Sequence, residues 1–195
     1  AEEKSKLISK KKQLKRRKKS SYNNSNEDKT TLPNQWEWCL LEDITMIIRG
    51  ITFPASEKSK ISENGRIACL RTSNVQEEIE WDDLLYIREQ FVKREDQIVK
   101  KNDIIMSMAN SRELVGKVSL VKSEPADRTT FGGFLGIIRP ILLDSHYLTM
   151  VLRSSTIKNK LIENASQTTN IANISISKLN SLFLPLPPLA EQHRI

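Results

Sequence analysis

The sequence is poor in the residues that build metal sites, disulfide frameworks and membrane spans. It has two cysteines, two histidines and six glycines in 195 residues. Cys39 and Cys69 lie in apolar segments without zinc-ligand spacing, so we expect two reduced, buried thiols in a cytoplasmic protein. No apolar run approaches the roughly 18 residues that a membrane helix needs, which predicts no membrane association.

The motifs of the common DNA-directed enzymes are absent as well. The glycines never form Gly-x-Gly-x-x-Gly, and no Gly-x-x-x-x-Gly-Lys-Ser/Thr loop occurs to hold a nucleotide. No Pro-Asp opens a nuclease-type metal triad, and Pro187-Pro188 is followed by Leu-Ala-Glu rather than by an aromatic residue. We therefore predict that the chain binds no cofactor or metal and catalyses no reaction itself.

Positive charge is concentrated at the start of the chain. The net charge is +7, but residues 1–20 contain ten Lys or Arg and two Glu, which leaves the remaining 175 residues at −1. Residues 1–31 have few large apolar side chains and are predicted to be a basic leader and linker. This leader is either a solvated extension or an arm that contacts phosphate groups, and the sequence leaves both interpretations open.

The rest of the chain has the pattern of an α+β domain. Short segments rich in branched residues predict strands at 67–71, 103–109, 117–121 and 131–139. Residues 40–49 are expected to form a short helix or strand, 89–96 a short helix before a strand near Ile98, and 174–184 a strand with or without a turn. Two helices are expected between Asp144 and Glu163, capped by Asp144 and broken at 154–156. The fold class is therefore a mixed, mostly antiparallel twisted sheet with a helical C-terminal section.

The end of the chain carries the most specific motif. The sequence Pro185-Leu186-Pro187-Pro188 forces an extended segment, and Pro188 suits the first turn of a helix over 189–195. The segment 184–195 resembles a signature of the specificity subunits of type I restriction–modification systems (the HsdS family). Weaker matches lie at 32–38, 66–75, 99–107, 115–118 and 147–173. Asn102 replaces a family glycine where a left-handed residue is required, and Gln167 stands where the family often has glycine.

The resemblance implies a DNA target-recognition domain over residues 32–184, followed by the start of a conserved coiled-coil-type spacer helix at 185–195. A whole specificity subunit has two such domains, each reading half of a split double-stranded DNA site, with two long antiparallel helices between them. Those helices dock methyltransferase (M) subunits, which use S-adenosylmethionine. Restriction (R) subunits, which use ATP and Mg²⁺, join the complex. The chain is then either a fragment or a half-length subunit that associates with itself. On the stub, the docking residues would be Leu189, Glu191, Gln192, Arg194 and Ile195.

Polar side chains at the ends of predicted strands are the candidates for contacting DNA. Arginine pairs well with guanine, and asparagine or glutamine pairs with adenine. The candidates are Arg49, Arg71, Thr72, Ser73, Asn74, Asn110, Ser111, Arg112, Gln167, Thr168, Asn170 and Asn173. Each has a purely structural alternative, because Asn, Ser and Thr also occupy loops to satisfy backbone groups.

Two other classes of function stay open at this point. The chain could be a stand-alone DNA-binding or regulatory α+β module unrelated to restriction, or it could be an enzyme. A helix that begins where the domain ends favours a subunit with partners over a free-standing module. The missing cofactor and metal motifs argue against an enzyme.

Overall fold

A computed structural model describes residues 31–163, 166–168 and 171–195. These residues form twelve strands and five α-helices. The strands are β1 (Glu37–Leu40), β2 (Thr45–Arg49), β3 (Arg66–Leu70), β4 (Leu85–Arg88), β5 (Ile104–Ser107), β6 (Ala109–Asn110), β7 (Val118–Leu120), β8 (Thr129–Phe131), β9 (Leu135–Pro140), β10 (Ser166–Thr168), β11 (Ile171–Asn173) and β12 (Phe183–Leu186). The helices are α1 (Leu41–Ile44), α2 (Ser145–Arg153), α3 (Ser155–Glu163), α4 (Ile176–Asn180) and α5 (Leu189–Gln192).

A four-stranded antiparallel sheet forms the centre, in the order β2-β9-β5-β7. Every residue of β5 is buried, because the sheet is covered on both faces. On one face, Ile104 and Met106 belong to a core shared with α2 and α3. On the other face, Ile105 and Ile137 pack with Phe131. This double burial explains why the central strands are continuous apolar runs in the sequence.

A second sheet has the order β4-β3-β8 and contains the only parallel pair of named strands among the described residues, β3 with β8. It joins the central sheet where the Ile51 nitrogen, just after β2, donates to the Phe131 oxygen of β8 at 2.9 Å. The next residue, Gly132, donates to the Leu70 oxygen of β3, also at 2.9 Å. Two smaller sheets are β10-β11-β6 and the antiparallel pair β1-β12. The predicted α+β class and mostly antiparallel pairing are confirmed, with the strands divided among four sheets.

Several local predictions are confirmed. Asp144 caps α2, since its side chain accepts a hydrogen bond from the Tyr147 nitrogen at 2.9 Å. The helical section divides at Ser154, and Asn102 has the left-handed φ of 70°. Cys69 is a buried thiol, as predicted, and burial raises its pKa to about 12. Cys39 is only partly buried, and its Sγ donates to the Leu184 oxygen at 3.6 Å, so the prediction of two buried thiols holds for Cys69 alone.

Among the described residues, no helix is long and apolar enough to cross a membrane.

Other predictions were wrong. The strand expected over 131–139 is two strands, β8 and β9, because the chain turns at Gly132-Gly133. The helix expected over 89–96 is two separate 3-10 turns, Glu89–Phe91 and Glu95–Gln97, and no strand follows at Ile98. Residues 174–184 contain the helix α4, which Ser175 caps by accepting from the Lys178 nitrogen, before β12 begins. Residues 1–30 of the basic leader, which was predicted over 1–31, lie outside the described residues.

A buried ion pair fixes one end of the central sheet. Asp103 is 1% exposed and accepts two hydrogen bonds from Arg139, at 2.7 Å to Nε and 2.8 Å to Nη2. Asp103 also accepts from the Lys100 nitrogen at 2.8 Å, and Arg139 donates to the Ile98 oxygen at 3.0 Å. The hydrogen bond from Arg139 to Asp103 raises the pKa of Arg139. Both charges are therefore compensated, as burial requires.

We predict that Arg139→Ala lowers the free energy of unfolding by about 3 kcal/mol, because it leaves Asp103 as a buried, unpaired charge. Urea unfolding measures the change. The control is Arg128→Ala, which removes exposed ion pairs with Glu89 and Glu95 and should cost no more than about 1 kcal/mol. Equal losses in the two variants would contradict the prediction.

The closest backbone approach at a glycine is between Gly50 and Gly132. A Cβ on Gly50 would lie 2.1 Å from the Gly132 carbonyl oxygen and 2.9 Å from the Phe131 oxygen. A Cβ on Gly132 would meet only the Leu70 oxygen, at an ordinary 3.5 Å. The backbone therefore leaves no room for a side chain at position 50, whereas it does leave room at position 132.

We expect Gly50→Ala to destabilise the protein by about 3 kcal/mol, the upper part of the range for overpacked interiors. Gly132→Ala, its matched control, should change stability by less than about 1 kcal/mol. Thermal and urea unfolding of the two variants give the comparison. A Gly50→Ala variant as stable as Gly132→Ala would contradict the prediction. It would show that the backbone segments around Gly50 and Gly132 can move apart without a loss of stability.

Candidate nucleic-acid interface

The structure brings most of the candidate DNA-contacting segments to one edge of the sheets. Leu70 precedes Arg71, and its oxygen accepts a hydrogen bond from the Gly132 nitrogen. Two residues after Gly132, the Phe134 oxygen accepts from the nitrogens of Met108 at 2.8 Å and Ala109 at 3.2 Å. The next residue, Asn110, pairs with Ala172, which also pairs with Gln167. We call this edge the loop edge; it consists of the segments 49–50, 71–76, 108–117, 132–134, 167–168 and 171–173.

Arg49 and Asn173 line the same cleft on the loop edge. Arg49 ends β2 opposite Gly136 of β9, and Asn173 pairs through its backbone with Ala109. Both side chains are exposed. The cleft is also lined by apolar residues and by the turn that contains Phe134. A cation and an amide therefore line one open cleft, although they are 124 residues apart in sequence.

The second candidate cluster begins on β6 and continues into an exposed turn. Asn110 is partly engaged locally, because its amide donates to Ser107 Oγ at 3.3 Å and accepts from the Ser111 nitrogen at 2.9 Å. Ser111 and Arg112 are exposed in the turn that follows. The Ser111 carbonyl accepts from the nitrogens of Leu114 and Val115, which keeps this turn compact.

The Arg71 cluster is more strongly committed to the fold than expected. Arg71 forms an ion pair with Asp83, and Lys60 binds the same carboxylate. The hydrogen bond from Lys60, together with the charge and hydrogen bond of Arg71, lowers the pKa of Asp83. Thr72 is half-buried and Ser73 is exposed on the same turn. Arg71 can approach DNA only by sharing or leaving its carboxylate partner.

Asn74 must be removed from the set of predicted DNA contacts. It is 1% exposed, and its amide donates to the carbonyl oxygens of Glu80 at 2.9 Å and Asp83 at 3.0 Å. Its Oδ1 accepts from the Arg71 nitrogen at 2.9 Å. Asn74 therefore satisfies the backbone of the 71–83 loop, which is the structural role that asparagine often has in turns.

The third cluster is described in part. Gln167 and Thr168 belong to β10, which pairs with β11 in the same small sheet as Asn110. Asn170 lies outside the described residues. The backbone of this cluster is thus adjacent to that of the second cluster, as an interface built from both requires.

Two features of the loop edge were not anticipated from the sequence. Lys117 binds the side chain of Gln76, and Ser119 donates to the Gln76 backbone, so the 71–83 loop is fastened to β7. Phe134 is 65% exposed at the turn between β8 and β9. The signal available in the sequence was Gly132-Gly133 before an aromatic residue, which marks a tight turn that presents a ring.

The segment at the end of the chain packs back onto the domain more than expected. Gln192 is 4% exposed, where its Oε1 accepts from the Asp144 nitrogen at 2.8 Å and its amide donates to the Pro187 oxygen at 2.9 Å. It is therefore an internal residue and not a docking residue. Glu191 accepts from Trp36 Nε1 at 3.0 Å. Leu189, Arg194 and Ile195 remain exposed.

Comparison with known proteins finds specificity subunits of type I restriction enzymes among its relatives. The specificity subunit of the type I restriction enzyme EcoKI from Escherichia coli (strain K12) is 31% identical over 164 residues, which cover 83% of this chain and 34% of that protein. The StySPI specificity subunit from Salmonella potsdam is 30% identical over 164 residues, or 83% of this chain and 35% of that protein. The chain thus spans about a third of the length of these relatives.

Solved structures show the same fold. The HsdS subunit from Thermoanaerobacter tengcongensis matches 99% of this chain and 44% of its own with a TM-score of 0.62 at 18% identity. A structure from a study of type I R-M complex assembly matches 98% of this chain and 47% of its own, with a TM-score of 0.63. The family model for the type I restriction modification DNA specificity domain matches residues 33–195. This chain therefore belongs to the family of type I restriction modification DNA specificity domains.

Proposed function

We propose that the chain recognises one half of a bipartite DNA site as part of the specificity subunit of a type I restriction–modification complex. The observation that carries this proposal is the loop edge, on which cationic and amide side chains from distant segments lie together. Recognition of a DNA sequence needs such groups to contact the edges of the bases, while contacts to phosphate groups fix the position of the protein along the duplex. The family membership and the specificity-subunit relatives support the same function.

The loop edge has a form that suits the major groove. That groove is about 12 Å wide and admits a two-stranded ribbon as well as a helix. The small sheet β10-β11-β6 and the turn at 132–134 are narrow elements next to each other on this edge. We expect them to enter the groove, with the larger sheets behind them as a rigid support.

The side chains divide into two roles under this proposal. Asn173 and the remaining donor of Asn110 are suited to adenine, and Arg49 and Arg112 are suited to guanine or phosphate. Arg71, which pairs with Asp83, and Lys117, which binds Gln76, are suited to phosphate contacts at the border. Catalysis then belongs to the partner subunits, with S-adenosylmethionine in the methyltransferase and ATP with Mg²⁺ in the restriction subunit.

The test is DNA selection followed by quantitative binding. Duplexes enriched by the protein from a random-sequence pool should share a short motif. Binding to an enriched duplex, measured by fluorescence anisotropy, should weaken by about 1–3 kcal/mol in Arg49→Gln and in Asn173→Ala if each contacts a base. If Arg49 contacts a phosphate group instead, Arg49→Gln should weaken binding to all duplexes alike. It should also reduce the slope of log K against log salt concentration by about one.

The matched control is Arg88→Gln. Arg88 is exposed and lies opposite Arg66, at the far end of β3 from the loop edge. Its substitution removes the same charge but should leave affinity for the enriched duplex within about twofold, since exposed charges beyond a Debye length of roughly 8–10 Å are largely screened. The proposal fails if no motif is enriched, or if Arg88→Gln and Arg49→Gln weaken binding equally.

We also propose that Leu189, Arg194 and Ile195 dock the methyltransferase subunit. Leu189 is 54% exposed and Ile195 is exposed nearby on the same short segment, while Gln192 holds the segment against the domain. Exposed apolar side chains on a fixed element are typical of an interaction surface.

Leu189→Ser should weaken co-elution with the methyltransferase subunit of the same system in size-exclusion chromatography, by an amount equivalent to about 1–2 kcal/mol for one lost apolar side chain. Ile61→Ser is the control, because Ile61 is at least as exposed but lies in the 58–65 loop. If both variants co-elute like the parent protein, the docking surface lies elsewhere.

A further inference from the structure

Phe134 is the most exposed large apolar side chain in the described part of the chain, at 65%. It follows Gly132 and Gly133 in the turn between β8 and β9, so no side chain on the two preceding residues shields the ring. An isolated exposed apolar residue needs no explanation by itself. Phe134, however, lies on the edge that is proposed to read DNA, so its exposure needs an explanation.

The turn that carries Phe134 is held on both sides. The Gly132 nitrogen donates to Leu70, and the Leu135 nitrogen donates to the Gly132 oxygen at 2.9 Å. The Phe134 oxygen accepts from the nitrogens of Met108 and Ala109. A Cβ on Gly133 would lie 3.3 Å from the Ile51 oxygen, so the turn also sits close against β2's continuation. These contacts fix the backbone from which the ring projects, as a preorganised binding site requires.

Phe134 shares a cleft with the two polar groups best suited to bases. Phe134 lines the same cleft as Arg49 and Asn173. An asparagine amide pairs with N6 and N7 of adenine only in the major groove. In that groove the partner thymine of the same base pair displays its C5 methyl group, and phenylalanine is one of the side chains that contact it.

We propose that Phe134 contacts the C5 methyl group of a thymine, and that Asn173 reads the adenine paired with it or next to it. The inference rests on the proposed function and assigns one base type to one place on the loop edge. The ring supplies apolar contact and the amide supplies hydrogen bonds, so together they distinguish an A·T pair from a G·C pair and fix its orientation.

Insertion of the ring between base pairs is the alternative use of an exposed phenylalanine. Such wedges enter through the minor groove, where an A·T pair and a T·A pair offer the same acceptors. The adjacent amide would then contribute little to sequence reading. The pairing of ring and amide in one cleft favours the major-groove contact, and the two uses predict different results when only the methyl group is removed.

The test uses duplexes enriched from the random pool by the full chain, in which each thymidine is replaced in turn by deoxyuridine. This exchange removes one methyl group and keeps every phosphate and every pairing hydrogen bond. The parent protein should lose about fourfold in affinity at one or two positions, the factor expected for one buried methyl group. At those positions Phe134→Ala should bind the thymidine and deoxyuridine duplexes equally.

Two further variants make the result specific. Phe134→Leu keeps an apolar side chain and should retain part of the preference for thymidine. Leu142→Ala, which is the exposed apolar control, lies beyond the opposite end of β9 and should retain all of it. Thermal unfolding of Phe134→Ala should match that of the parent protein, since the ring is mostly in solvent.

Three outcomes would overturn the inference. The first is that the parent protein discriminates thymidine from deoxyuridine at no position of the duplex. The second is that Phe134→Ala keeps the discrimination. The third is that Phe134→Ala weakens binding to both duplexes and leaves the ratio of their affinities unchanged, as loss of a wedge would. Failure of the proposed function looks different, since Arg49→Gln and Asn173→Ala would then also leave binding unchanged. Loss of affinity in those two variants, with discrimination intact in Phe134→Ala, rejects only the thymine contact.

Discussion

The architecture depends on a backbone-to-backbone junction at Gly50 and Gly132. The central sheet and the β4-β3-β8 sheet meet there, because the Ile51 nitrogen, just after β2, donates to the Phe131 oxygen of β8. On either side of this bond, Gly50 donates to Leu135 of β9 and Gly132 donates to Leu70 of β3. The approach is too close for a side chain on Gly50. Because the ends of β2, β3 and β8 are tied at this junction, the segments that follow them emerge on the same edge. The loop edge is thus a consequence of how two sheets are joined, and it does not require its segments to be close in sequence.

Sequence patterns predicted the parts of the fold that depend on local chemistry. The cap at Asp144, the helix break at Ser154 and the left-handed backbone at Asn102 follow from residue preferences that act over a few positions. The gathering of the Arg49, Asn110 and Asn173 segments could be expected only from the family resemblance, because pairing between distant strands leaves no mark in one sequence. The buried roles of Asn74 and Gln192 were missed for a related reason: an amide that satisfies a distant carbonyl looks the same in sequence as one that projects into solvent.

Amide side chains serve two purposes in this domain. Asn74 and Gln192 complete the hydrogen bonding of loops that would otherwise bury unpaired backbone groups. Asn173 is exposed at the loop edge and has its side chain on the surface. The fold of a solved HsdS structure is retained at 18% identity. This fits a domain in which the apolar core and the amides that support loops maintain the fold, while surface side chains are free to differ.

The pairing of β1 with β12 places Glu37 opposite Leu186, so the chain enters and leaves the domain side by side. Next to this strand pair, the Trp36 indole donates a hydrogen bond to the Glu191 carboxylate. A unit with adjoining ends can be cut out of a longer polypeptide and replaced by another of the same shape without displacing its flanks. Replacing the residues between Glu37 and Leu186 by another unit of the same fold would therefore leave the flanking residues in place.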